Sequence, residues 1–186
     1  MAKAEPGYYL AETNLYGNGV FVRSPIPKGV LICTLGGDHV SLDEMVMRVL
    51  SGDEAINNPL QVGMQQYIIC DEISRSFNHS CSPNTIACGK SDLISIREIA
   101  TGEEITFDYS LTIAPTDWQM DCLCGSASCR KVASDVSTVP DEILKGYFDA
   151  GLLQDYMREI LPDILAGTYV IPQFELDALN RLSGSR

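Results

Sequence analysis

Frequent Gly, Pro and Asn residues divide the first 110 residues into short segments, and this spacing is the strongest constraint on the fold. Runs rich in β-branched and aromatic residues recur at intervals of about ten residues, as expected for short strands joined by turns. These runs are GVFVR (19–23), GVLICTL (29–35), QYIIC (66–70), TIAC (85–88), LISIRE (93–98) and ITFDY (105–109). The pattern predicts a compact all-β or β-rich α+β unit.

One helix is predicted inside this β-rich part, over the segment 41–52. Ser41 can cap its N-terminus, and Glu44 three residues later completes the pattern of a capping box. The apolar residues that follow share one face at helical spacing, and Gly52 can end the helix.

The character of the chain changes near residue 137, where apolar residues begin to follow helical spacing. Pro140 can begin the first helix, Pro162 is expected to start a new turn, and a last short helix is expected at 173–182. This tail of about 50 residues is too short to bury a core of its own. We therefore expect it to cover its own domain or to form a dimer face, through Leu152, Leu153, Tyr156, Ile160 and Leu161.

Charge and hydropathy narrow the partners and the compartment. The chain has 13 Lys and Arg against 25 Asp and Glu, for a formal net charge of −12. Such a surface repels phosphate, so we expect no direct nucleic-acid binding; it would attract a basic protein segment, although acidity can also serve solubility alone. No apolar run approaches the ~20 residues of a membrane helix, and no secretory signal is recognisable. We expect a soluble, intracellular protein without a membrane partner, in either nucleus or cytoplasm.

Seven cysteines are an odd number in such a chain, which favours metal binding or buried thiols over disulfides. Cys33, Cys70 and Cys88 stand alone among apolar neighbours and are expected to be small core residues. The tight C-x-C-x4-C group consists of Cys122, Cys124 and Cys129.

This C-x-C-x4-C group predicts a structural zinc site, because thiolates are preferred zinc ligands and Gly125 allows a turn between them. A structural zinc takes four ligands, so one more is required. Cys81 is the expected fourth ligand, with Cys88 and Cys70 as alternates.

The segment RSFNHSCSPN (75–84) concentrates polar side chains in a loop. The amide of Asn78 can orient a polar ligand. A thiol-protease site built from Cys81 and His79 is rejected, because neighbouring residues of an extended loop should point apart. The other histidine, His39, has no orienting partner in the sequence.

Two glycine-containing motifs add further candidates. In GEEITFDY (102–109), a turn and strand end in Tyr109, whose phenol can align an amine by hydrogen bonding. A turn at 16–21 lets the backbone at Gly17 and Gly19 approach a ligand closely. In isolation each motif has a simpler interpretation. GEEITFDY can be a surface turn followed by a core aromatic pair, and the segment 16–21 can be an ordinary hairpin turn.

Together these motifs resemble the SET-domain protein lysine methyltransferases over roughly residues 14–131. The order is a GxG turn, IPKG (26–29), RSFNHSC-SPN (75–84), GEEITFDY (102–109) and CLCGSASC-RK (122–131). The resemblance implies a β-rich α+β SET fold of small curved sheets with a knot-like active site. It also implies S-adenosylmethionine on one face of that site and a target lysine entering through a narrow channel from the other.

The resemblance assigns roles to particular residues. Tyr109 aligns with the catalytic tyrosine, and Phe107 and Leu35 fall in the substrate channel. The zinc ligands of a post-SET segment correspond to Cys81, Cys122, Cys124 and Cys129. The cofactor-binding positions correspond to Gly17, Asn18, Gly19, Asn78 and His79. Tyr67 is a further candidate near the cofactor, and a core position suits it equally.

Three positions depart from the family pattern. Leu35 stands where many relatives have a tyrosine, which removes one phenol from the lysine channel. Ser76 replaces an aromatic residue after Arg75, which could loosen packing beneath the cofactor. Phe107 occupies a position where the family has Phe or Tyr, and the missing hydroxyl would make room for a second or third methyl group.

These inferences combine into one expected organisation, with a SET domain at 6–118, a post-SET zinc-binding segment at 119–135 and a C-terminal helical extension at 136–186. The expected function is S-adenosylmethionine-dependent methylation of a lysine in a basic protein, such as a histone or a histone-like protein. The alternative is a catalytically weak SET-fold module that binds basic peptides. A zinc-stabilised domain without cofactor would explain the cysteines but not the other motifs. The chain is expected to be a monomer or a homodimer.

Overall fold

The computed structural model describes residues 7–13 and 17–183, so residue 6 of the expected SET domain and residues 14–16 lie outside the described residues. The strands are β1 (Tyr8–Thr13), β2 (Gly17–Val22), β3 (Leu31–Thr34), β4 (Gly37–Ser41), β5 (Pro59–Gly63), β6 (Gln66–Cys70), β7 (Asn78–His79), β8 (Thr85–Cys88), β9 (Asp92–Ser95), β10 (Thr106–Phe107), β11 (Met120–Asp121) and β12 (Val132–Ala133). The helices are α1 (Leu42–Ser51), α2 (Asp141–Asp149), α3 (Asp155–Ala166) and α4 (Gln173–Ser183).

The strands form small separate sheets instead of one continuous sheet. Two sheets have three strands each, in the orders β4-β6-β5 and β3-β9-β8, and both are antiparallel. The pairs β1-β2 and β11-β12 are antiparallel hairpins, whereas β7 and β10 pair in parallel. Helices accompany these sheets, so the predicted β-rich α+β class is confirmed.

Helix α1 begins and ends as its sequence predicts. The hydroxyl of Ser41 accepts a hydrogen bond from the Glu44 backbone N–H at 3.2 Å. Gly52 ends the helix with φ 80°, a left-handed conformation that glycine adopts without steric cost. The buried face of α1 packs on β4 and β6, close to the site described below.

The C-terminal helices pack on the β-rich part of the same chain. Leu153, Met157 and Leu161 are fully buried in a cluster that also contains Ile86 and Cys88 of β8. This cluster supports the expected cover of the chain's own domain. A membrane-spanning helix is not found among the described residues.

The expectation that Pro162 starts a new turn is wrong, because Pro162 lies inside the continuous helix α3. A proline inside a helix removes one hydrogen bond, here to the Arg158 carbonyl. Both residues are exposed, so the Arg158 carbonyl lies on the solvent side of the helix, while Leu161 holds the other side in the core. The break in the tail instead falls at Gly151, whose φ is 71°.

Candidate active site

The two polar motifs meet where β7 and β10 pair in parallel. Asn78 lies opposite Thr106, and His79 lies opposite Phe107. The pairing continues past β7, because the Ser80 N–H donates to the Phe107 carbonyl at 3.1 Å. Segments separated by about 30 residues of chain are thereby held side by side, as the knot-like site of the resemblance requires.

Tyr109 comes two residues after β10, and hydrogen bonds fix both its backbone and its hydroxyl group. Its backbone N–H donates to Nδ1 of His79 at 3.2 Å, and its hydroxyl donates to the Phe77 carbonyl at 2.8 Å. The ring lies 4.8 Å from that of Phe107, centroid to centroid. Because the hydroxyl hydrogen is used by Phe77, the oxygen lone pairs are oriented to accept from another donor.

His79 is buried and neutral in this arrangement. Its Nδ1 accepts from Tyr109, which places the ring hydrogen on Nε2, and Nε2 lies 3.3 Å from Sγ of Cys81. Burial lowers the pKa of His79, and this effect exceeds the opposing attraction of Asp108. The expectation that His79 and Cys81 point apart is wrong, since residues two apart on an extended strand face the same side. A protease pair still does not form, because Cys81 belongs to a cluster of thiols.

Four thiols form that cluster. The Sγ atoms of Cys81, Cys122, Cys124 and Cys129 all lie within 4.8 Å of one another. The Cys81–Cys122 and Cys122–Cys129 Sγ separations are both 3.7 Å. Zinc–sulfur bonds of about 2.3 Å in a tetrahedron give sulfur separations of about 3.8 Å, so the donor set fits zinc.

The two alternates to Cys81 lie elsewhere. Cys70 is in the core formed by β2, β5 and β6, and Cys88 is in the cluster beneath α2 and α3. Cys33 packs against the first of these cores. Gly125 makes the turn between the ligands with φ 69°. The geometry therefore favours Cys81 as the fourth donor, and zinc binding itself stays a prediction.

An ion pair links the thiol cluster to Tyr109. Arg130, the residue after Cys129, donates to both carboxylate oxygens of Asp108 at 2.7 and 2.6 Å. Asp108 precedes Tyr109 and accepts from the Ser110 N–H at 3.1 Å. The sequence motifs contain both Asp108 and Arg130, but only the fold shows that they pair.

The glycine turn reaches the same site from β2. The Asn78 amide nitrogen donates to the Asn18 carbonyl at 3.2 Å and to Oε1 of Glu104 at 2.7 Å. Both hydrogens of this amide are thus used within the protein, which leaves its oxygen as the ligand-binding atom. A Cβ at Gly19 would overlap the Glu104 carboxylate, so this glycine is required by a close approach. Glu104 is a site residue that sequence reasoning missed.

A cavity of about 180 Å³ lies beside Tyr109. Phe107 and Leu35, the predicted channel residues, both border it, and Leu35 is buried in the core. The rim includes the segment 112–118, which is tied to the α1–β5 loop by a hydrogen bond from Trp118 Nε1 to Asn57 at 3.0 Å.

Two further positions singled out in the sequence are Ser76 and Tyr67. Ser76 is buried in a short turn, where its hydroxyl donates to the Glu72 carbonyl at 2.6 Å. Tyr67 also borders the cavity, but its ring packs with Val40, Leu42 and other residues of the cluster between β6, α1 and α4. The predicted cofactor role of Tyr67 stays a prediction.

The parallel pairing of β7 with β10, the partly buried Tyr109 and the adjoining thiol cluster define a SET-type fold and site. A family model described as SET domain matches residues 17–110, half of the chain. The chain belongs to the SET-domain family, and the resemblance stated from the motifs is confirmed.

Relatives with this domain are distant. The variant-silencing SET domain-containing protein of Plasmodium falciparum (isolate 3D7) is 30% identical over 137 residues, covering 64% of this chain and 5% of that protein. The probable histone-lysine N-methyltransferase set-23 of Caenorhabditis briggsae is 28% identical over 137 residues, covering 64% of this chain and 57% of that protein. The chain thus spans less than two thirds of the length of these relatives.

A solved structure shares the fold. The crystal structure of the methyltransferase domain of human histone-lysine N-methyltransferase SETMAR superimposes with a TM-score of 0.58 at 21% identity. The match covers 69% of this chain and 58% of that chain. At this identity the likeness establishes the architecture alone.

Proposed function

We propose that this chain is a protein-lysine N-methyltransferase that uses S-adenosylmethionine. The observation that carries the proposal is the placement of Tyr109, which borders the cavity while its hydroxyl is fixed on the Phe77 carbonyl and its backbone N–H donates to His79. The names of the relatives agree with this activity class.

The residues around Asn78 fit the methionine end of this cofactor. The Asn18 carbonyl and the Glu104 carboxylate already accept the two amide hydrogens of Asn78, so the amide oxygen of Asn78 is the acceptor left for an ammonium group. The backbone at Gly17 and Asn18 is exposed there. When bound, S-adenosylmethionine supplies a methyl group on a positively charged sulfur.

The chain's own residues would prepare the amine. Lysine has a pKa of ~10.4 in water, so it is almost entirely protonated at neutral pH. A cavity bordered by Leu35, Phe107 and Tyr109 disfavours the charged form by desolvation. The oxygen of Tyr109 can then accept from the neutral amine and hold its lone pair in line, so that positioning supplies much of the rate.

The substrate class follows from charge, and the number of methyl groups from Phe107. A net charge of −12 favours a basic protein, such as a histone or a histone-like protein. Phe107 lies against Tyr109 and brings no hydroxyl that would hold a water there. We therefore infer that the enzyme adds two or three methyl groups.

The four cysteines would hold a structural zinc ion next to this site. Zinc would fix the segment that carries Arg130, and Arg130 in turn holds Asp108 beside Tyr109. The expected role of the metal is to keep the channel wall in place, with no part in the chemistry.

One observation favours a second candidate, a module that binds basic peptides with little catalysis. Leu35 occupies the expected place of a channel phenol and is buried in the core, so the channel has fewer polar groups than the family pattern. Cofactor binding without methyl transfer would identify this module.

Methyl transfer from labelled S-adenosylmethionine to core histones and other basic proteins tests the proposal. We expect label on lysine with the wild type and with the control Tyr9→Phe, which removes a phenol from β1, and none with Tyr109→Phe. Transfer that Tyr109→Phe leaves intact would contradict the proposed role, and no transfer to any basic protein would contradict the proposed activity.

A further inference from the structure

The C-terminal helix α4 carries a buried carboxylate that the proposed mechanism does not use. Glu175, in the first turn of α4, has only 6% of its surface exposed. Its Oε1 atom has no hydrogen-bond partner among the described residues. A buried carboxylate oxygen without a partner is costly, so an atom of this kind points to a ligand that would satisfy it.

Glu175 faces the cavity that contains Tyr109. Ala178 and Leu179 of the same helix border this cavity as well. Among the described ion pairs, none involves Glu175; Arg181 of α4 instead pairs with Asp43 at 2.8 Å. The carboxylate therefore lacks an internal counter-charge.

Tyr67 of β6 borders the same cavity as Glu175. The charge of Glu175 also contributes to the raised pKa of Tyr67, Tyr156 and Tyr169. The Tyr156 hydroxyl is already used, donating to the Thr112 carbonyl at 2.7 Å. The Tyr169 hydroxyl is buried without a partner. A carboxylate and an aromatic ring in one cavity are a favourable setting for an organic cation.

The Glu175 end and the Tyr109 end of the cavity lie on different sides of a sheet. Along β6, Tyr67 and Ile69 pack towards α1 and α4, whereas Ile68 and Cys70 pack in the core that Tyr109 borders. Strand β5 is one of the two edge strands of this sheet, and its residues 59–61 border the cavity. The cavity thus passes along an edge strand, with Tyr109 on one side and Glu175 on the other.

We propose that Glu175 forms a second subsite of this cavity, which binds the ammonium or guanidinium group of a basic residue flanking the target lysine. This inference rests on the proposed function, because it takes Tyr109 as the site of the target lysine. The buried carboxylate would gain a charge-assisted hydrogen bond on binding, and the substrate would be selected for a second positive charge. Glu175 is then a specificity-determining residue contributed by the C-terminal extension.

The test compares two fluorescein-labelled peptides. One has a single lysine with arginine on both sides, and the other has citrulline, a neutral isostere, in place of both arginines. We expect the wild type to prefer the arginine peptide, and Glu175→Gln to reduce that preference by about tenfold. Glu175→Asp should keep part of it, because the negative charge is retained.

Glu159→Gln is the matched control. It removes the same charge from an exposed position on α3, so it measures how much of the preference comes from net charge alone. An equal loss of preference in Glu159→Gln and Glu175→Gln would overturn the subsite, as would a wild type without any preference. Thermal unfolding of each variant verifies that the compared proteins are folded.

The outcome separates this inference from the proposed activity. Binding needs no methyl transfer, so a preference that depends on Glu175 supports the subsite even if transfer is never seen. The wild type could transfer methyl groups while Glu175→Gln keeps the same preference for the arginine peptide as Glu159→Gln. That result would support the proposed activity and overturn the subsite.

Discussion

The Tyr109 hydroxyl donates to the Phe77 carbonyl at 2.8 Å, across 32 residues of chain. Phe77 is fully buried and immediately precedes Asn78, so the phenol is anchored to the segment that would hold the cofactor. One hydrogen bond thereby sets the distance between the group that would orient the amine and the group that would hold the methyl donor.

Tyr109→Phe should separate activity from stability. Removing the hydroxyl loses one hydrogen bond, which costs about 1 kcal/mol of unfolding free energy. The loss of a positioned acceptor should lower kcat by about 100-fold or more. Urea unfolding and single-turnover methyl transfer measure the two effects. If kcat falls no further than the loss of unfolding free energy explains, Tyr109 has a structural role alone.

The sequence predicts the local elements well because their signals are local. The N-cap at Ser41, the end at Gly52 and the strands QYIIC and TIAC all follow from residues within a few positions. The motifs also place Asn78, His79 and Tyr109 in one site, because they are matched as a set.

The other features of the fold and of the candidate site depend on contacts between distant parts of the chain. Nothing near Glu175 in the sequence indicates a cavity, since its burial arises from packing of α4 on α1. The Arg130–Asp108 ion pair likewise requires the thiol cluster to fold against the end of β10. The expectation for Pro162 is wrong because proline usually interrupts a helix, whereas here burial of the opposite helix face keeps α3 continuous.

Gly19→Ala should destabilise the site, because a Cβ at this position would collide with the side chains of Glu104 and Thr13. The added methyl group would overlap the Glu104 carboxylate, and overpacking of this kind costs about 1–3 kcal/mol. Glu104→Ala should relieve part of that cost, so a double-mutant cycle from urea unfolding should give a clear coupling energy. Additive effects of Gly19→Ala and Glu104→Ala would contradict the collision. Gly7→Ala is the control, because a Cβ there meets nothing within 4 Å.

The thiol cluster should bind one zinc ion per chain. Metal analysis of the purified protein should find about one zinc, and Cys129→Ser should lower both zinc content and thermal stability. Cys33→Ser changes a cysteine outside the cluster and should keep the metal. Zinc content that is unchanged in Cys129→Ser, or equal losses in both variants, would contradict the assignment.

Phe107→Tyr should restrict the number of methyl groups. The new hydroxyl would lie beside Tyr109 and could hold a water where a second methyl group would otherwise fit. Mass spectra of products at excess cofactor should therefore shift from di- or trimethyl-lysine to monomethyl-lysine. Monomethyl-lysine as the sole product of the wild type would contradict this reading of the channel.

Glu175 should make stability depend on pH between about 4.5 and 7. Burial raises the pKa of Glu175 to about 7, from an ordinary value of 4.5. A raised pKa means that the protonated form favours folding, so this contribution is complete below pH 4.5 and is lost as pH rises through 7. Above that range the wild type carries a buried charge that Glu175→Gln lacks.

The expected result is a variant that is stabilised only at higher pH. Glu175→Gln should match the wild type near pH 4.5 and exceed its unfolding free energy by about 2 kcal/mol at about pH 8. The neighbouring phenols do not titrate there, since burial raises the pKa of Tyr67, Tyr156 and Tyr169. The carboxylate of Asp43 in α1 forms an ion pair with Arg181 of α4. Thermal unfolding across this range measures the difference, with Glu159→Gln as the control for loss of the same charge at an exposed position. A stabilisation that is equal at both pH values would mean that the Glu175 charge is already compensated within the protein.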